Sequence, residues 1–73
     1  MNVEDFINNL TEIIDTEEKL TLETKLSDVE DWDSLSLVGF LSFCNSKLKL
    51  SVTPEEVKVA QTVADLFKIA GGK

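Results

Sequence analysis

Apolar residues recur at three- and four-residue steps near the start of the chain, and this pattern predicts an amphipathic helix over residues 3–15. Such spacing places side chains on one face of a helix with 3.6 residues per turn. Asn2 is suited to cap the helix start, with Asp5 three residues further on. The apolar stripe consists of Val3, Phe6, Ile7, Leu10, Ile13 and Ile14.

Acidic residues interrupt the apolar pattern over residues 16–33, which predicts a long connection. Connections longer than about 12 to 15 residues are uncommon in compact domains unless they have a function or contain a short helical turn. Residues 24–29 are the candidates for such a turn. The apolar residues that would hold the connection against the core are Leu20, Leu22, Leu26, Val29 and Trp32.

The longest apolar run predicts a second helix that begins at Asp33 or Ser34 and ends at about Lys47. Its expected core face consists of Phe40, Leu41, Cys44 and Leu48, and Leu37, Val38 and Phe43 widen the apolar surface. Gly39 lies in the helix interior, where Gly costs about 1 kcal/mol relative to Ala. We therefore expect a neighbouring element or a partner to approach closely at Gly39.

Two capping signals predict the remaining helices. Residues 53–56, Thr-Pro-Glu-Glu, combine a capping threonine, a proline at the first helical position and a glutamate three residues after the cap, which predicts a short helix over residues 54–59. Residues 62–65, Thr-Val-Ala-Asp, repeat the cap-and-acid spacing and begin a last helix that ends at Gly71-Gly72. The apolar face of this helix is Val63, Leu66, Phe67 and Ala70. No alternating strand pattern occurs, so the sequence predicts an all-α fold of four helices.

The composition limits the chemistry that the chain can perform. A length of 73 residues predicts a single domain, residues 1–73, without room for a second lobe and a catalytic cleft. The chain contains no His and one Cys, so Ser-His-Asp, Cys-His and His-metal arrangements cannot form within it. We therefore expect a protein that is not an enzyme.

The single cysteine and the lack of a membrane or export signal predict a soluble, cytoplasmic protein. Cys44 has no internal disulfide partner, and its place on an apolar face predicts a buried small hydrophobe. No apolar run approaches the roughly 20 residues of a membrane span. Nothing in the pattern indicates more than a monomer.

Charge is distributed unevenly along the chain. The formal net charge is −7, which argues against nucleic acid as a partner and favours basic proteins. Residues 1–33 hold eleven acidic residues and two lysines, whereas residues 34–73 hold three acidic residues and five lysines. The acidic half of the chain therefore ends at Ser34.

Asp33-Ser34-Leu35 places a hydroxyl at the start of the second helix. The first N–H groups of a helix lack intrahelical partners, and the helix dipole adds partial positive charge there, which favours a phosphate attached nearby. Taken alone, the tripeptide is a weak motif that more often forms a helix cap than a modification site, because Asp and Ser are common at helix starts.

The order and spacing of these parts resemble the acyl carrier protein family over essentially the whole chain. The shared parts are an amphipathic first helix, a long first loop, Asp33-Ser34-Leu35 opening helix two, a short third helix after residues 53–56 and a last helix begun by Thr62-Val63. The resemblance implies a small four-helix bundle of acyl-carrier type. It also implies that Ser34 carries 4′-phosphopantetheine through a phosphodiester, with acyl groups held as thioesters on the thiol of this arm.

The resemblance also implies roles for residues near Ser34. A phosphopantetheinyl transferase would attach the arm from coenzyme A. From the charge of Asp33 and its position next to Ser34, we infer that Asp33 would help to position the metal or a basic side chain of that enzyme. Leu35 would anchor the helix start. Acyl-loading and synthase enzymes with basic surfaces would bind at Glu30, Asp31, Leu37 and Val38.

An acyl chain on the arm would need an apolar crevice between the helices. The candidate lining residues are Leu26, Val29, Phe40, Leu41, Cys44, Val57 and Phe67. The alternative is that these residues simply fill the core, which is the more common role for any one of them in so small a domain.

Helix two departs from the family pattern because it contains no acidic residue after Asp33, whereas typical members carry acids along the exposed side of this helix. The acids of this chain lie upstream instead, at Glu23, Asp28, Glu30 and Asp31. We therefore expect a specialised carrier with dedicated partners, serving fatty acid, polyketide or related biosynthesis.

The sequence leaves two alternatives to the acyl carrier open. An aminoacyl or peptidyl carrier has the same modified serine, and an unmodified acidic helical module would bind a basic partner without any arm. A calcium loop starting at Asp31 is not expected, because its sixth position would be Ser36 instead of Gly and its twelfth Ser42 instead of Glu. No metal site is predicted.

Overall fold

Residues 2–71, the part of the chain that the computed structural model describes, form four α-helices and contain no β-strand. The helices are α1 (Val3–Ile14), α2 (Ser34–Ser46), α3 (Pro54–Lys58) and α4 (Val63–Ile69), and one turn of 3-10 helix spans Leu26–Asp28 in the first loop. The prediction of an all-α fold is confirmed. Gly72 of the predicted C-terminal stop lies outside the described residues.

The helices begin where the sequence predicted because local capping groups determine their starts, and they end within one or two residues of the prediction. The side chain of Asn2 accepts a hydrogen bond from the Asp5 N–H at 2.8 Å, and Thr53 and Thr62 cap α3 and α4 in the same way. Helix α1 ends at Ile14, one residue earlier than predicted, because Asp15 takes the left-handed conformation at φ 58°.

The core is built around three phenylalanine rings from three helices. Phe6 of α1 lies with its ring centroid 6.2 Å from that of Phe40 of α2 and 5.1 Å from that of Phe67 of α4. Both contacts are edge-on, the arrangement that aromatic quadrupoles favour. Phe6 and Phe40 are fully buried. The rings therefore join α1, α2 and α4 at one place.

The long first loop is held by the backbone of the segment that leads into α4. An isolated antiparallel bridge pairs Lys25 with Thr62. Three hydrogen bonds flank it: Leu26 N–H to Gln61 O (2.9 Å), Val63 N–H to Thr24 O (3.0 Å) and Ala64 N–H to Leu22 O (2.9 Å). The predicted turn lies at Leu26–Asp28, where the buried Leu26 packs into the core. Backbone pairing thus adds to the apolar contacts that the sequence predicted.

Helices α1 and α2 approach closely at Gly39. A Cβ atom at this position would lie 3.1 Å from Cγ2 of Ile13, closer than the 3.4–4 Å of ordinary van der Waals contact. The expectation of a close approach is confirmed, and the approaching element is α1 of the same chain.

Within residues 2–71 the helices are too short to cross a membrane as apolar spans, since the longest of them, α2, has 13 residues.

Replacing Gly39 by Leu is expected to lower the free energy of unfolding by about 1–3 kcal/mol, because the added side chain must displace Ile13. Gly39→Ala is the matched control, since its single methyl group gains helix propensity while meeting the same contact. Urea denaturation of both variants measures the effect. Equal stability of Gly39→Leu and the wild type would contradict the close approach.

The capping box of α4 predicts a pH dependence of stability. The Asp65 carboxylate accepts hydrogen bonds from the N–H groups of Gln61 (2.9 Å) and Thr62 (3.2 Å). These hydrogen bonds lower the pKa of Asp65, and the bond from the Gln61 N–H contributes most. A lowered pKa in the folded state stabilises the protein at neutral pH, and this contribution is lost as the pH falls below about 4 toward the folded-state pKa.

Asp65→Asn is therefore expected to lower the Tm at pH 7 and to have a smaller effect at pH 2–3, as estimated from the ordinary pKa of about 3.9 for Asp. Thermal unfolding of both proteins between pH 7 and pH 2 tests this. A Tm difference that stays constant over the range would show that the charge of Asp65 has no part in the cap.

Candidate functional site

The start of α2 is capped by Asp33. Its backbone is extended, with φ −140° and ψ −168°, and its side chain accepts a hydrogen bond from the Ser36 N–H at 3.0 Å. Its carbonyl accepts the first helical bond, from the Leu37 N–H at 3.0 Å. Ser34 is therefore the first residue inside the helix, and the capping role that the sequence left open for it belongs to Asp33.

The side chain of Ser34 is exposed to solvent. Within residues 2–71 its hydroxyl has no hydrogen-bond partner, and the N–H groups of Ser34 and Leu35 have no protein acceptor. The open helix end therefore offers two backbone donors and one accessible hydroxyl. Because the chain contains no His, it provides no ordinary general base for this hydroxyl.

Ser36 fixes the loop to the helix, a role that the sequence analysis missed. Its side chain is buried, and its hydroxyl donates a hydrogen bond to the Asp31 carbonyl at 2.8 Å and lies 3.3 Å from Oδ1 of Asp33. The available signal was its spacing: Ser36 is the third helical residue after an Asp cap, a position whose side chain can reach back toward the cap.

The expectation that Leu35 anchors the helix start is wrong. Its side chain is 82% exposed, so it packs against little of the protein. The hydrogen bonds of Asp33 and Ser36 hold the helix start instead. Val38 is 60% exposed and lies three residues further along, so the two apolar side chains share one face of α2. Leu37 is half-buried against the core and therefore exposes less of its surface than Leu35 and Val38 do.

Exposed carboxylates lie on one side of Ser34. Glu30, Asp31 and Asp33 are all exposed. Asp31 and Asp33 also line a recess of about 270 Å³ together with Asp15, which follows the last turn of α1. The sequence placed acids before Ser34 but did not reveal Asp15, since its proximity arises from the packing of α1 against α2. This negative surface is complementary to a basic partner.

These carboxylates do not form a metal centre. No group of three or more His, Cys, Asp or Glu side chains within residues 2–71 is arranged to hold a metal ion.

The residues proposed to line an acyl crevice lie in the packed core. Leu26, Val29, Phe40, Cys44, Val57 and Phe67 are buried, and Leu41 is half-buried. Burial raises the pKa of the Cys44 thiol to about 11. The thiol therefore stays protonated at neutral pH, which makes it a poor nucleophile.

Replacing Ser34 by Ala is expected to change the free energy of unfolding by less than about 0.5 kcal/mol, because its exposed hydroxyl makes no hydrogen bond within residues 2–71. Ser36→Ala is the matched comparison. It removes a bond from a buried hydroxyl and is expected to cost about 1–2 kcal/mol. Urea denaturation measures both. A loss for Ser34→Ala as large as that for Ser36→Ala would assign Ser34 a structural role.

Comparison with known proteins adds no relative: no protein-family model, no curated protein and no solved structure matches the chain.

Proposed function

We propose that the chain is a carrier protein in which Ser34 bears 4′-phosphopantetheine and the thiol of this arm holds acyl intermediates as thioesters. The observation that carries the proposal is the exposed, unbonded hydroxyl of Ser34 at the first residue of α2. This specific role for the serine is supported by the order of the helices and the Asp33-Ser34-Leu35 tripeptide, which resemble the acyl carrier protein family. The bundle would accordingly be of the acyl-carrier type.

The attachment step requires a second enzyme. A phosphopantetheinyl transferase would remove the proton of the Ser34 hydroxyl, and Oγ would form a bond to the phosphorus that carries the pantetheine of coenzyme A. The bond from this phosphorus to the rest of the nucleotide breaks, and the nucleotide part leaves. Asp33, adjacent to Ser34 and exposed, is placed to attract the metal or a basic side chain of the transferase.

The helix end supports a phosphodiester at Ser34. The diester would keep one negative charge next to the positive end of the α2 dipole and the two open N–H groups. The carboxylates of Asp31 and Asp33 oppose this attraction, so the arm is expected to extend away from the recess that they line.

The surface around Ser34 favours dedicated partners. Acyl-loading and synthase enzymes would place basic residues against Glu30 and Asp31, and an apolar side chain against Val38. Beyond Val38 the exposed residues of α2 are Ser42, Asn45 and Ser46, none of which is acidic. A partner that needs carboxylates along the whole helix would find them only at its start, which favours a specialised carrier over one that serves the general fatty acid synthase.

A second function is supported by the exposed apolar pair Leu35 and Val38 beside the carboxylates. These residues could equally form the docking surface of an unmodified module that binds a basic protein. An aminoacyl or peptidyl carrier uses the same serine and differs only in its cargo.

Incubation with coenzyme A and a broad-specificity phosphopantetheinyl transferase is expected to increase the intact mass by one phosphopantetheine arm. Ser34→Ala is expected to abolish the increase. Ser42→Ala, which removes another exposed serine of α2, is the control and should be modified like the wild type. A wild-type chain that gains no mass would favour the unmodified module, and an arm on another residue would refute the assignment to Ser34.

A further inference from the structure

The apolar stripe of α1 is wider than the part that the core covers. Three of its residues are buried in the core, and Ile13 lies against Gly39 of α2. Val3, in the first turn, and Ile7, on the edge of the stripe opposite to Ile13, are only half-buried. The stripe therefore keeps an accessible apolar edge on the side of α1 away from α2.

The start of the first loop forms the second wall of a groove along this edge. The chain turns back after α1 because Asp15 takes the left-handed conformation. The buried Thr16 then accepts a hydrogen bond from the Glu18 N–H at 3.1 Å, and the side chain of Leu20 is buried in the core. These contacts hold residues 18–20 beside α1, so the groove is formed without a partner. Its volume is about 550 Å³, and it is open to solvent.

The shape of the groove fits a helix. Val3, Ile7 and Thr11 line it at successive turns of α1. At 1.5 Å per residue, these three positions span about 12 Å, the length of roughly two helical turns. An amphipathic helix that carries apolar residues at positions i and i+4 binds to a groove of this kind through its apolar face.

Charge selects among the possible occupants. Residues 3–20, which form both walls, contain six acidic residues and one lysine, Lys19. All six carboxylates are exposed. A second copy of this chain, with its net charge of −7, would be repelled, and so would nucleic acid or an anionic membrane. A positively charged partner would be attracted.

We propose that the groove between α1 and the start of the first loop binds a basic amphipathic helix of another protein. Apolar side chains of this helix contact Val3 and Ile7, and its lysine or arginine side chains lie beside Glu4 and Glu18. No residue of α2 lines the groove, so the bound helix does not cover Ser34. The inference goes beyond the carrier function and does not depend on it.

The probe for the test is a synthetic helical peptide of about 15 residues, long enough to form a helix. It carries leucines at i and i+4 on one face, lysines on both sides of the leucines and alanine elsewhere. Titration into the unmodified, isotope-labelled chain at low salt is expected to shift NMR signals of residues 3–20, with a Kd between about 10 µM and 1 mM because the contact is small. The same peptide with glutamate in place of lysine is expected not to bind. Absence of binding by the lysine peptide, or shifts centred on Leu35 and Val38, would overturn the inference.

Charge reversal in the groove separates local attraction from the effect of net charge. Glu4→Lys combined with Glu18→Lys is expected to raise the Kd at least about tenfold, because both walls then repel the peptide. The matched control, Glu23→Lys combined with Glu55→Lys, makes the same change in net charge and likewise joins a loop acid to an acid in the first turn of a helix. Its Kd is expected to rise by no more than about threefold. Equal weakening by the two pairs would refute the groove as the site.

The apolar contact is tested separately. Ile7→Ala is expected to raise the Kd about three- to tenfold, because the leucines of the peptide lose apolar surface to contact. Val59→Ala, at a valine that is 76% exposed and lies outside the groove, is the control and should bind like the wild type. An unchanged Kd for Ile7→Ala would contradict the proposed contact. The NMR spectrum of each variant shows whether it is folded, and the two charge-reversal pairs decide the question if Ile7→Ala is not.

Two further measurements separate this inference from its competitors. Dilution of the chain alone from about 1 mM to about 50 µM is expected to leave the signals of residues 3–20 unchanged. Signals that move on dilution would assign the groove to a second copy and overturn the inference. Ser34→Ala is expected to bind the peptide with the wild-type Kd. A chain that binds the peptide but cannot be modified at Ser34 would refute the carrier function alone.

Discussion

The contact of Phe6 with Phe40 and Phe67 is the interaction on which the rest of the bundle depends. A domain of this size buries a small core, so each large side chain accounts for much of the stability. Helices α3 and α4 contain five and seven residues, far fewer than an isolated helix needs in water. Their helical structure is therefore maintained by packing, and for α4 the ring of Phe67 supplies a central part of it.

At the start of α2, the residues that stabilise the fold, Asp33 and Ser36, differ from the candidate functional residue, Ser34. Asp33 and Ser36 satisfy the backbone and join the loop to the helix, and the Ser34 hydroxyl makes no hydrogen bond to any described residue. A residue without internal bonds can be modified or replaced with little effect on folding. The surface near it combines negative charge with the exposed Leu35 and Val38, so affinity for a partner would have both an electrostatic and an apolar component.

Local signals in the sequence predicted the helices well, since a cap such as Thr53 or Thr62 acts within three residues of its own position. The orientation of α2 was harder to predict, because its apolar residues are spread around the helix and do not define one buried face. The resemblance implied that Leu35 anchors the helix start, yet its side chain is exposed. The proximity of Asp15 to Asp33 depends on how α1 and α2 pack, which no local pattern encodes.

Pairing of the first loop with residues 61–64 has a consequence for biosynthesis. The loop leads directly into Ser34, yet the backbone groups that hold it lie about forty positions later in the chain. On the ribosome, this stretch stays without its partners until residues 61–64 have been translated and released from the exit tunnel. The loop that precedes Ser34 therefore completes its backbone pairing only after these residues have been translated, which makes it one of the last parts of the domain to fold.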